Sequence, residues 1–123
     1  LFFLFLVKRI ILMRYSPFST KNNMLARLHV IISSEENSQV DQIKEKLKQI
    51  NPKFSISPVR SYSGLKDHSE LYCTLEIEKN DVETLLAKLN NDWDGPYDDC
   101  ICYGFNTVMF DHLVYCLEFV LFD

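Results

Sequence analysis

The residues best suited to chemistry are four carboxylates in one short stretch, NNDWDGPYDDC, from Asn90 to Cys100. Asp92, Asp94, Asp98 and Asp99 surround Trp93, Tyr97 and a Gly-Pro pair. Three chemistries could use them: a cation site, a pair of acid–base carboxylates, or a charged surface offered to a partner. A calcium loop needs oxygen ligands at fixed offsets and a Glu at position twelve. Counted from Asp92, position five is Pro96 and position twelve is Tyr103, so the pattern fails. Paired carboxylates for general acid–base work need a cleft that a domain of this size rarely encloses. Asp, Asn, Gly and Pro also favour turns for backbone reasons alone. That turn chemistry leaves Trp93 and Tyr97 unexplained, because large aromatics in a polar loop either tuck onto the core or anchor an interface.

Other reactive residues are sparse. The chain has 3 Gly, and no phosphate-binding glycine loop, H-E-x-x-H or G-x-S-x-G pattern. Its four cysteines are Cys73, Cys100, Cys102 and Cys116. Only Cys100 and Cys102 are close, and a four-cysteine zinc site would show paired C-x-x-C knuckles. Reduced structural cysteines are the expectation, with no metal and no cofactor. His29, His68 and His112 are scattered, and they read as surface or turn histidines. A nucleophilic pair of Cys116 or Cys102 with His29 or His112 is not demanded by any spacing.

The elements that must position these residues follow from periodicity. Residues 1–23 carry four basic residues and no acid, with LFFLFLV ahead of Lys8-Arg9. This run is too short and interrupted for a membrane span, and its charges lie on the wrong side for a secretory signal. The expectation is that Met24 or Met13 is the true start; the alternative is an amphipathic extension that lies on a membrane or a partner. Residues 24–123 form one domain. In LARLHVII, Ala26, Leu28, Val30 and Ile32 share one face, which predicts a strand. Val40, Ile43, Leu47 and Ile50 recur at helical spacing behind a Ser38 N-cap, and Asn51-Pro52 ends that helix. Residues 53–62 read as a strand that Pro58 confines to a sheet edge or a bulge.

ELYCTLEIE, residues 70–78, has the clearest alternation, with Leu71, Cys73, Leu75 and Ile77 inward and Glu70, Tyr72 and Glu76 outward. A second helix follows, with an Asn80–Glu83 capping box and an apolar stripe of Val82, Leu85, Leu86 and Leu89. Two last strands are expected at about 99–105 and 112–122, rich in β-branched and aromatic residues; a helix through 107–122 is the competing reading. The order β-α-β-β-α-β-β predicts an α+β fold: an antiparallel sheet with two helices on one face, the ferredoxin-like plait.

Charge limits the partners. Residues 24–123 hold 9 bases and all 17 acids, 9 − 17 = −8, while the first 23 residues hold the other four bases. This argues against nucleic acid, which needs a basic patch, and favours a basic protein partner. The expected interface is Trp93 and Tyr97 as anchors, Asp92, Asp94, Asp98 and Asp99 as a charged rim, and Tyr72 and Glu76 on the outward face of the 70–78 strand.

In its small size, acidic charge, lack of catalytic motifs and acidic–aromatic pattern (Asp92-Trp93-Asp94, Tyr97-Asp98-Asp99), the chain resembles the immunity proteins that neutralise bacterial toxins. That resemblance implies a non-enzymatic, cytoplasmic inhibitor that covers the basic groove of a toxin, often a nuclease. A small-molecule-binding regulatory or dimerisation domain is the alternative. In that case the apolar C-terminal strand is available to pair across a homodimer.

Overall fold

The computed structural model describes residues 23–105 and 107–122. The extension expected at 1–23 lies outside them, apart from Asn23, which opens the first strand. The described elements are β1 (Asn23–Ile32), α1 (Asn37–Ile50), β2 (Ser55–Ile56), β3 (Arg60–Ser61), β4 (Ser69–Glu78), a 3-10 turn (Lys79–Asp81), α2 (Val82–Leu89), β5 (Asp99–Tyr103) and β6 (Val114–Phe122). The fold is α+β. Its six strands form one antiparallel sheet in the order β2-β4-β1-β6-β5, with β3 also pairing β4.

The two longest strands make the spine. β1 pairs β4 from Asn23↔Glu78 to Ile32↔Ser69, and β6 from Leu25↔Phe122 to Ile32↔Val114, with a bulge at Ile31/Ile32. This register puts Ala26, Leu28 and Val30 beside Leu75, Cys73 and Leu71 on one side and beside Leu121, Phe119 and Leu117 on the other. Val40, Ile43 and Leu47 of α1 and Val82, Leu85, Leu86 and Leu89 of α2 close over that face as a single apolar core. Cys100 and Cys102 lie on it too, opposite Phe119 and Leu117.

Sequence and structure part at several boundaries. The strand expected over 53–62 is two short pieces at the sheet edge, because Pro58 interrupts the ladder. β5 extends the sheet beyond β6, so the strand order differs from that of a bare plait. The last strand begins at Val114, since Asp111 first makes a turn: its Oδ1 accepts Leu113 N–H at 2.8 Å and its carbonyl accepts Val114 N–H at 3.1 Å. Neither expected side-chain cap forms. α1 starts at Asn37 after Glu36, and α2 is entered through the 3-10 turn, both without a side-chain cap bond. Ser34 instead supports the entry to α1: its Oγ accepts Glu36 N–H at 3.0 Å and donates to Gln39.

Two buried polar residues tie the loops to the helices. The Asp111 carboxylate is fully buried and receives Lys46 Nζ at 2.8 Å and Gln42 Nε2 at 2.9 Å, both from α1. Asn90, at the end of α2, accepts Asp92 N–H at 2.6 Å, donates to Thr107 Oγ1 at 3.2 Å and bridges to Met109. Such fully partnered buried groups specify one loop arrangement over its competitors.

Candidate functional site

The helices cover one face of the sheet, and among the described residues none covers the other. That open face carries the alternate residues of every long strand. Leu25, Arg27, His29 and Ile31 come from β1. Glu70, Tyr72, Thr74 and Glu76 come from β4, Cys116, Glu118, Val120 and Phe122 from β6, and Asp99, Ile101 and Tyr103 from β5.

At its centre lies a cluster that the sequence did not reveal. His29 is 9% exposed, not the surface histidine expected. Its Nε2 is 2.7 Å from Glu70 Oε1 on β4, and its Nδ1 is 2.8 Å from Glu118 Oε1 on β6. A carboxylate only accepts, so both contacts are hydrogen bonds when both ring nitrogens carry protons. Glu70 also takes Arg60 Nε at 2.7 Å through its other oxygen. Burial alone would raise the Glu70 carboxyl, but the bonds and charges of His29 and Arg60 outweigh it and hold the group below the ordinary carboxylate range. The Tyr72 ring stacks on His29 at 4.4 Å and 10°, and the Tyr62 ring meets it edge-on at 6.3 Å.

This cluster has the residue types of an acid–base site, but its groups are spent on one another. Both nitrogens of His29 face carboxylates, and Glu70 is held from both oxygens. The cysteines are equally closed. Burial pushes the Cys73 and Cys102 thiols up to about 12, and those of Cys100 and Cys116 up to about 11. All four are buried and free. A thiol nucleophile needs a lowered pKa and exposure, so the Cys–His pair weighed from the sequence lacks its nucleophile, although His112 is exposed. No group of three or more His, Cys, Asp or Glu side chains is placed to hold a metal among the described residues. Nor is any described helix long and apolar enough to cross a membrane.

Around the cluster the face is apolar and acidic at once. Leu25, Tyr103 and Phe122 are 46%, 44% and 40% exposed, and Phe105 just beyond β5 is 61% exposed. Glu76, Asp99 and half-exposed Glu118 stand among them. Arg27 lies over the rings of Tyr72 and Phe122, at 5.4 and 5.5 Å from their centroids.

The residues expected at an interface divide into groups. Trp93, expected as an interface anchor, is partly buried and packs against the core. Its ring meets Phe119 edge-on at 6.3 Å and its Nε1 donates to Leu86 O at 2.8 Å. Tyr72 is half-buried against His29, so it braces the face more than it presents itself. Asp92, Asp94, Tyr97, Asp98 and Asp99 are exposed, and Lys79 Nζ lies 5.9 Å from the Tyr97 ring centroid. Their stretch is a folded extension of the sheet. Asp94 and Ile101 exchange both backbone bonds, at 2.8 and 2.9 Å, and Asp98 O accepts Leu121 N–H at 3.0 Å. Gly95 makes the turn at φ +107°, where a Cβ would lie 2.7 Å from Asp99 O. Glu76 on β4 is three strand spacings from β5, about 14 Å, so the loop acids and Glu76 sit at opposite sides of the open face.

Comparison of the chain with protein-family models, with curated proteins and with solved structures found no match.

Proposed function

We propose that the protein is a non-enzymatic binding module whose open sheet face receives a basic protein. The observation that carries this is the sheet face that no described helix covers. It sets exposed Leu25, Tyr103 and Phe122 among Glu76, Glu118 and Asp99. Leu25 and Phe122 at one end of the face and Tyr103 at the other flank the central cluster, and exposed apolar residues set among charges are the pattern of an interface. The −8 charge of residues 24–123 supplies the steering for a cationic partner.

An immunity-type inhibitor that covers the basic surface of a toxin is the form this module takes in our reading, acting in the cytoplasm without nucleic acid or membrane. The plait belongs to the same proposal. With β2 and β3 taken as one interrupted strand and β5 as an added edge, the remaining order is β6-β1-β4-β2. Dimerisation through the same face is disfavoured, because a two-fold axis would bring Glu76, Glu118 and Asp99 of one copy towards those of the other.

The test compares the full chain with Leu25→Ser/Phe122→Ser as bait in lysate of the native host, beside a helix-face control, Lys44→Ser/Gln49→Ser. A basic protein held by wild type and control but lost by the open-face variant is the expected result. Equal retention by all three overturns the assignment of the face. A dimer in sedimentation at micromolar concentration, with nothing captured, replaces the module with a self-associating domain.

A further inference from the structure

At the outer edge of β5 the antiparallel Asp94–Ile101 bridge leaves a cleft of about 360 Å³, lined by Asp92, Trp93, Asp94, Ile101, Cys102, Tyr103, Phe105 and Thr107. Its chemistry is unlike that of the rest of the surface. Two exposed carboxylates meet three aromatic residues, and no cationic side chain is among the lining residues. The aromatics are braced: Tyr103 and Phe105 stack at 6.2 Å and 10°, and Tyr115 meets both rings edge-on, at 5.9 and 5.5 Å. Thr107 Oγ1 donates to Tyr103 O at 3.0 Å.

Flat π faces beside carboxylates select a planar cation. A guanidinium stacks on an aromatic ring while its N–H groups reach carboxylate oxygens, whereas an ammonium offers a compact, strongly hydrated point charge. We infer that this cleft seats an arginine side chain of the basic partner, with Tyr103 and Phe105 as the stacking surface and Asp92 and Asp94 as the anionic lips. Tyr103 belongs to both cleft and open face, so a partner lying across the face reaches the cleft without leaving it. The inference rests on the partner-binding reading and names the side chain that reading requires.

The side chains to be changed are not those that hold the segment. Asp92 is fixed through its backbone N–H to Asn90, and Asp94 through its backbone bonds to Ile101. Asp92→Asn/Asp94→Asn therefore removes the charge and keeps the fold. The chain has a single tryptophan, and Trp93 lines the cleft, so its one indole N–H resonance reports on occupancy.

The experiment titrates the full chain with N-acetyl-arginine methylamide, its lysine counterpart and its neutral citrulline counterpart. Saturable movement of the Trp93 indole and the Tyr103–Phe105 amides is expected with arginine at about millimolar concentration, several-fold weaker with lysine and absent with citrulline. Asp92→Asn/Asp94→Asn should weaken arginine binding roughly ten-fold, Phe105→Ala about three-fold or more, and Glu45→Gln, exposed on α1, not at all.

No saturable shift, equal response to citrulline, or equal loss with Glu45→Gln overturns the assignment. The two proposals fail separately. A partner held by the open face with no arginine response removes the cleft alone. An arginine response in the cleft with no partner on the face removes the binding module.

Discussion

Glu70 lies diagonally across from His29, two residues along β4 from the directly opposed Tyr72, and still reaches it with Oε1 2.7 Å from Nε2. Glu118, directly opposite on β6, takes the other nitrogen. One ring therefore joins the three central strands on the face that no described helix covers. Diagonal neighbours in an antiparallel pair are within reach of long side chains.

Removing the ring tests that bond. His29→Ala leaves buried Glu70 with only Arg60, and the expected cost is about 1–3 kcal/mol of stability, read by urea unfolding. In a double-mutant cycle with Glu70→Gln, a coupling of about 0.5 kcal/mol or more is expected. Additive losses would show that the two groups do not support each other.

Stability should fall in acid. Glu70 and Asp111 are both held below their ordinary values of 4.5 and 3.8. For Asp111 burial opposes this, but Lys46, the Leu113 N–H and Gln42 outweigh it. A depressed folded pKa means that the unfolded chain binds the proton more readily. Their contribution is thus complete above about pH 5 and is lost as pH falls through the folded values. Urea midpoints from pH 7 to pH 3 should decline below pH 5, and less steeply in Glu70→Gln/Asp111→Asn.

Trp93 should behave as a core residue. Trp93 is partly buried, so Trp93→Ala is expected to cost about 2–3 kcal/mol, at or below the low end for a fully buried aromatic. Trp93→Phe should cost about 1 kcal/mol, mostly the lost bond to Leu86 O. Thermal unfolding of the two variants checks both. An unchanged midpoint for Trp93→Ala would return the indole to the role of a surface anchor.

The thiols should be silent in the folded protein. With pKa values pushed up to about 11–12, all four cysteines should resist a neutral-pH disulfide reagent in the native state and react together in denaturant. A single fast native thiol would reopen cysteine chemistry.

The order of elements was legible in the sequence because period-two and period-3.6 patterns identify strands and helices without knowledge of the partner strands. Pro58 announced an edge for the same local reason: it has no N–H to give. The His29–Glu70–Glu118 cluster was not legible. It depends on which residue of β1 faces which residue of β4 and β6, across 41 and 89 positions of chain, and a shift of one residue would turn His29 into the core. The packing of Trp93 against the core was not legible, because composition describes a loop as polar but does not say which of its side chains turns inward. Here the Asp94–Ile101 bridge points the indole to Leu86 and Phe119. The aromatic wall of the cleft was hidden for a similar reason, as Phe105 and Tyr115 meet only once β5 and β6 pair.

The most direct measurement places a photo-crosslinking amino acid at Phe122 on the open face, and in a second version at half-buried Lys44 on α1, on the helix side of the sheet, in the full chain expressed in its native host. Adducts to one basic protein from position 122 and none from position 44 are expected. Adducts from both positions alike, or from position 44 alone, would contradict a partner seated on the open face of the sheet.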